Sequence, residues 1–253
     1  MPPSIIESPV EIEQLSLNAW PSSQTYLYGG MVVRRANGYT KRANSATVLF
    51  DATWTAEKQR WVEQFYGQHQ QPAIFRLLSF NGASQFDERL KTAGYEKIDL
   101  THVMTCTLDQ ANPDHQLDHR CQILPLDAWL EIFHTLDQSK LGDQKKQLHH
   151  GILEQIPGRL CPMILAINKK PVACGLGVLD GGAVGLFDIV TGEAYRQKGY
   201  GSALIHGLLD WGRTHGAMFS FLQVMAQNEP AINLYVKKGF KRAYFYWYRK
   251  NAR

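Results

Sequence analysis

The segment Ala194-Tyr-Arg-Gln-Lys-Gly-Tyr-Gly-Ser-Ala-Leu204 holds the residues whose types and spacing best suit chemistry. Gly199 and Gly201 let a backbone turn tightly and approach a ligand with no Cβ in the way. Leu204, Ile205, Leu208 and Leu209 then form one helical stripe, so the segment reads as a turn into a helix. Unpaired amides at a helix start face outward, and the helix dipole favours an anion there. Arg196 and Lys198 add positive charge, and the combination suits a phosphate or pyrophosphate. It lacks the Gly-Lys-Ser/Thr of a Walker loop and the full G-x-G-x-x-G of a dinucleotide fingerprint. Elsewhere, Cys106, Cys121, Cys161 and Cys174 are irregularly spaced, which predicts reduced thiols and neither a disulfide framework nor a zinc site. His149 and His150 are adjacent and would diverge on a helix, so they read as surface histidines, and no metal site is expected.

The elements that must position these residues follow from periodicity. Strands are expected at 121–124, 163–168, 172–179, 183–191, 219–224 and 243–249, with tight turns at Lys169-Lys170-Pro171 and Asp180-Gly181-Gly182. Helices are expected at 126–136, 144–156 and 199–215, and from Asn228, as cap, to a stop at Gly239. In the first half, 31–35 and 39–49 flank Asn37-Gly38, a hairpin dipeptide. Helix at 55–68, strand at 73–79, helix at 86–93 and strand at 97–108 follow. Phe86–Tyr95 and Ile232–Phe240 echo each other as short helix, glycine and aromatic before a strand, which suggests two divergent copies of one unit.

A chain of 253 residues suits two domains of about 100 to 150 residues each. The polar stretch Leu108–Arg120 divides it into an N-terminal domain (1–110), a linker (111–120) and a second domain (121–253). Hydrophobic residues at 44% and charged residues at 20% argue against disorder. No apolar run reaches the roughly 18 to 20 residues of a bilayer span. The opening residues lack the pattern of a secretory signal, so a cytoplasmic protein without a membrane partner is expected. A net charge of +4 is too mild to indicate nucleic acid but accommodates an anionic ligand.

Arg196-Gln-Lys-Gly-Tyr-Gly-Ser202 resembles the R/Q-x-x-G-x-G/A motif of the GNAT superfamily of N-acetyltransferases. Asn228-x-x-Ala231-x-x-Leu234-Tyr235-x-x-x-Gly239-Phe240 is similar to that family's second signature, and the likeness runs from about Cys121 to Arg249. The resemblance implies an α+β fold, an α/β/α sandwich with a mixed, largely antiparallel sheet and flanking helices, in two tandem GNAT-like domains. It implies acetyl-CoA as acetyl donor, with pantetheine along Ile189, Val190 and Thr191, opposite Phe219–Val224. The pyrophosphate would lie on the amides of Gln197, Lys198, Gly199, Tyr200, Gly201 and Ser202 beside Arg196. Asn228 matches a cofactor-contacting position and Tyr235 the general acid. Many relatives carry a glutamate base where this chain has Gln223, and an amide cannot take that proton. Asp188, Glu193 or a water remain candidates, but the two carboxylates read first as a strand-end polar residue and a solvated loop residue, and the general base stays unassigned.

The first half has no such glycine motif, although Gly38-Tyr-Thr-Lys-Arg-Ala-Asn-Ser45 resembles the N-terminal part of some two-domain GNAT proteins. Arg34, Arg35, Lys41 and Arg42 there could bind an anionic substrate or be solvated strand ends. The resemblance implies acetyl transfer to a primary amine, small or peptidic, by direct attack on the thioester. A non-catalytic acyl-CoA binding module is the alternative. A nucleic-acid binder is disfavoured by the scarcity of aromatics near the Arg34–Arg42 cluster.

Overall fold

A computed structural model describes residues 8–49, 53–108, 118–138 and 141–251. Residues 111–117 of the expected linker lie outside the described residues. The chain forms two compact units, and these do not follow a cut at 111–120. Residues 8–19 join Met104–Gln223 and Glu229–Lys241 in a C-terminal unit. Trp20–Val103, Val224–Asn228 and residues 242–251 make an N-terminal unit.

In the N-terminal unit, β1 (Gln24–Tyr28), β2 (Met31–Arg35) and β3 (Ala46–Val48) are antiparallel neighbours. Helix α2 (Ala56–Gly67) leads to β4 (Ile74–Leu78), which pairs in parallel with β3. Helix α3 (Ser84–Thr92) precedes the long strand β5 (Glu96–Thr107), whose residues from Met104 onward belong to the C-terminal unit. The neighbour of β4 is β11 (Lys241–Lys250), antiparallel, with Tyr246 opposite Leu78 and Lys250 opposite Ile74. Val62, Tyr66, Phe75, Leu77, Phe86, Leu90 and Trp247 are buried in one core cluster.

The expected hairpin at Asn37-Gly38 is corrected by the structure. Of 39–49, only Ala46–Val48 is strand, and residues 36–45 form a longer loop. Asn44 organises it: its Oδ1 accepts from the Ala36 and Gly38 amides at 2.8 and 2.9 Å. Its Nδ2 donates to the Tyr39 and Thr40 carbonyls at 2.8 Å each. A side chain that satisfies four backbone groups outcompetes a two-residue turn. Arg34 is buried rather than solvated, donating to the Trp20 and Arg42 carbonyls. Arg42 lies over the Trp20 ring, and Lys41 pairs with Asp99 at 2.6 Å.

The C-terminal unit starts with α1 (Pro9–Asn18) and continues with β6 (Cys121–Ile123), α4 (Leu126–Asp137) and α5 (Asp143–Glu154). Then β7 (Arg159–Ile167), β8 (Lys170–Asp180) and β9 (Ala183–Thr191) form an antiparallel meander with β6 against β7. Helix α6 (Tyr200–Thr214) connects β9 to β10 (Phe219–Met225), which pairs with β9 in parallel. Helix α7 (Glu229–Lys237) follows. The stripe of α6, with Leu204, Ile205 and Leu208 fully buried, packs on β7, β8 and β9. Burying each such side chain is worth about 1.5–3 kcal/mol. Trp129 and Phe133 of α4 stack, and the Trp129 Nε1–H donates to the Met163 carbonyl at 3.1 Å.

The fold is therefore α+β, a mixed and largely antiparallel sheet flanked by helices. The order β3-α2-β4-α3-β5 is repeated by β9-α6-β10-α7-β11, each copy with its first two strands parallel. Among the described residues, no helix is long and apolar enough to cross a membrane.

Candidate functional site

The parallel ladder between β9 and β10 runs from Phe219 opposite Ala183 to Leu222 opposite Leu186 and stops there. Ile189, Val190 and Thr191, beyond that point, are only half-buried. Thr191 leads into a 3-10 turn, Glu193–Tyr195, and then an exposed loop. Gln197 has φ 61° and Gly199, which caps α6, has φ 80°, a left-handed value that favours glycine. The first turn of α6 carries no side-chain cap, so the amides of Tyr200, Gly201 and Ser202 start a helix with its dipole unanswered.

The two loop cations are tied back to the loop itself. Arg196 Nε donates to the Thr191 carbonyl at 3.3 Å, and Lys198 Nζ to that of Ala194 at 3.1 Å. Their charge stays beside the helix start while the amides face outward. A Cβ on Gly201 would stand 3.1 Å from Thr191 Oγ1 and 3.6 Å from Leu234 Cδ2. The end of β9, the start of α6 and one face of α7 therefore converge at Gly201. Bare amides, close approach and adjacent cations together fit a phosphate group.

Tyr235 follows Leu234 on α7 and is buried, with its ring edge-on to Phe240 at 5.9 Å. Burial pushes its phenol up to about 12. Its hydroxyl makes no hydrogen bond among the described residues, unlike the core tyrosine Tyr66, which donates to the Arg34 carbonyl. Asn228 falls in the N-terminal unit, directly ahead of α7, and its amide donates to the Met225 carbonyl at 2.9 Å. Gln223, at the position of the absent carboxylate, donates its side-chain amide to Ser16 of α1. Glu193 is exposed.

His149 is the residue that sequence reasoning misread. It is buried, not a surface histidine, and its Nε2 lies 2.9 Å from Asp188 Oδ2. Its place three and four residues before the buried Ile152 and Leu153 was the available signal. His150 does stay at the surface, between Asp127 and Glu154. Cys121, Cys161 and Cys174 are buried free thiols and Cys106 is half-buried. Among the described residues no cluster of three or more His, Cys, Asp or Glu side chains could hold a metal ion.

The comparisons agree with this architecture. A family model described as the C-terminal region of the probable histone acetyltransferase Rv0428c matches residues 10–249. The chain is 30% identical over 246 residues to the uncharacterized N-acetyltransferase YobR of Bacillus subtilis, spanning 94% of this chain and 97% of that protein. A GCN5-related N-acetyltransferase from Kribbella flavida superposes with a TM-score of 0.74 at 10% identity, over 98% of this chain and 97% of the other. A tandem GNAT protein from the clavulanic acid biosynthesis pathway superposes with a TM-score of 0.59 at 11% identity, over 97% and 89%. The chain belongs to the Rv0428c C-terminal acetyltransferase family and is a GNAT-type N-acetyltransferase, an acyltransferase enzyme.

Proposed function

We propose that the C-terminal unit transfers an acetyl group from acetyl-CoA to a primary amine. The observation that carries this reading is the end of the β9–β10 ladder at Leu186 and Leu222, directly ahead of a glycine-started helix. Ile189, Val190 and Thr191 would pair with pantetheine, an extended group that can join an open strand edge. The amides from Gln197 to Ser202 would hold the pyrophosphate, with Arg196 and Lys198 beside it. Asn228 is assigned a cofactor contact on the family signature alone. The donor supplies an acetyl group activated as a thioester. Tyr235 gives a proton to the departing sulfur, a role suited to the hydroxyl of a largely buried ring that has no other hydrogen-bond partner among the described residues.

The N-terminal unit repeats the element order but has no glycine-rich turn ahead of α2, and we assign it no cofactor. A calorimetric titration with acetyl-CoA tests both statements, and one site per chain is expected. In Gly201→Val the affinity should fall at least about tenfold, or roughly 1.4 kcal/mol. The added Cβ meets Thr191, and the branches obstruct the backbone approach. Unchanged affinity in that variant, or two sites per chain, would contradict this placement. A panel of spermidine, tyramine and a lysine peptide, read by thiol release, then identifies the acceptor class.

A further inference from the structure

Asp188 has φ 48°, a left-handed value that is uncommon for a residue with a Cβ. The cause is a bulge. Strands β8 and β9 pair Leu176 with Phe187 and then Cys174 with Val190, so Asp188 and Ile189 together oppose Gly175. Bulges re-aim side chains and recur next to active sites. Here Ile189 turns to the α6 side, its Cδ1 within 2.5 Å of where a Cβ on Gly175 would stand. Asp188 turns instead to α5 and His149 Nε2, at 2.9 Å. The His149 side chain is 0% exposed, whereas that of Asp188 keeps 15%. Of the two, only the carboxylate has surface that a substrate could touch. It stands two residues past Leu186, where β9 and β10 part.

We propose that Asp188 is the catalytic base for the acceptor amine and that His149 is its positioning residue. His149 donates Nε2–H to one carboxylate oxygen and leaves the other toward the acceptor. The assignment rests on the acetyl-transfer reading above. As the amine nitrogen attacks the thioester carbonyl carbon, a C–N bond forms and the C–S bond breaks. The amine proton passes to Asp188, and the departing sulfur takes the Tyr235 proton. Exchange with solvent then resets both groups, so the products are the amide and the free thiol.

The groups around the pair are His134 and Asp137 of α4, Lys146 of α5 and Cys174 of β8. Burial and the neighbouring His149 hold His134 below the ordinary imidazole range, so it adds no charge at neutral pH. Burial pushes the Cys174 thiol up, which keeps it protonated. A hydrogen bond to a carboxylate favours its ionised form, and His149 is placed to supply that donor.

The test uses the full chain with Asp188→Asn, His149→Phe and His149→Gln. Acetyl-CoA affinity is measured by calorimetry, and kcat/KM for the best amine of the panel is followed from about pH 5 to 9. Affinity for acetyl-CoA should be unchanged throughout. Asp188→Asn should lose roughly 100- to 10,000-fold in kcat/KM. His149→Phe should shift the acidic limb to higher pH, and His149→Gln, which retains an amide donor, should bring it back. A merely structural tether would lower the folded fraction without moving that limb. Full turnover in Asp188→Asn overturns the proposal, as does an unmoved limb in folded His149→Phe. If His149→Phe does not fold, Asp188→Asn and His149→Gln decide. Wild-type protein that fails to bind acetyl-CoA, or to acetylate any amine, overturns the acetyl-transfer reading itself.

Discussion

A phenol serves as a proton donor only while it keeps its proton, and burial pushes Tyr235 up to about 12. The donor form therefore persists below that value, and no alkaline loss of kcat should arise from Tyr235 until the pH nears it. Tyr235→Phe keeps the ring and its packing on Phe240, so the melting temperature should hardly move. Because positioned proton transfer is typically worth about 100- to 10,000-fold, kcat should fall within that range at saturating acetyl-CoA. Equal turnover would return Tyr235 to the core. These residues were legible because their signals are local: two glycines beside cations, and a tyrosine on a regular helical face. Asp188 was legible only as one of three candidate bases, and its pairing with His149 was not legible at all. A bulge changes which face a strand residue takes, and adjacency on a helix does not say which histidine points inward.

Strand β11 is fastened to the N-terminal unit by Arg249, which meets Asp87 of α3 through Nε at 2.8 Å and a terminal nitrogen at 2.9 Å. Another terminal nitrogen donates to the Tyr95 carbonyl at 3.0 Å. Burial pushes the Asp87 carboxyl up, but hydrogen bonds from Arg249 and Trp247 outweigh it and hold it below the ordinary range. A depressed carboxylate stabilises the fold fully above its unfolded value of about 3.9 and loses that contribution as pH falls through its folded value. Asp87→Ala should cost roughly 3–5 kcal/mol near neutral pH, because it strands a buried guanidinium. Urea midpoints should show the deficit shrinking in acid, and a constant deficit would refute the ion-pair explanation. At this scale the meander and the helices α4 to α7 were readable from alternation and helical stripes. Helix α1 was not, because its buried face mixes Ile12 and Leu15 with Glu13 and Ser16. Nor was β1, an edge strand whose residues are mostly exposed. The 36–45 loop depends on Asn44, whose four partners no dipeptide pattern announces.

At the scale of the whole chain, the repeat was visible in the Phe86–Tyr95 and Ile232–Phe240 echo, but the assignment of its strands was not. Sequence order suggests that a copy keeps its own strands, whereas β11 ladders with β4, and the end of β5 reaches β10 through the Leu108 amide and Met218 carbonyl at 2.8 Å. Ending the chain at Lys241 would remove Trp247 from the N-terminal core and leave Asp87 without Arg249. That truncation should abolish the cooperative melting of the N-terminal unit, and a melting curve like that of the intact chain would refute it. The exchange also sets an order in time. Domains usually fold during synthesis, N-terminal first, as the chain emerges at about 5–20 residues per second. Here the unit that begins at Trp20 needs Arg242–Lys250 to complete its sheet, so the ribosome must deliver the other half before it can close. Until then β4 waits with an open edge, the kind of surface that nascent chains shield with chaperones.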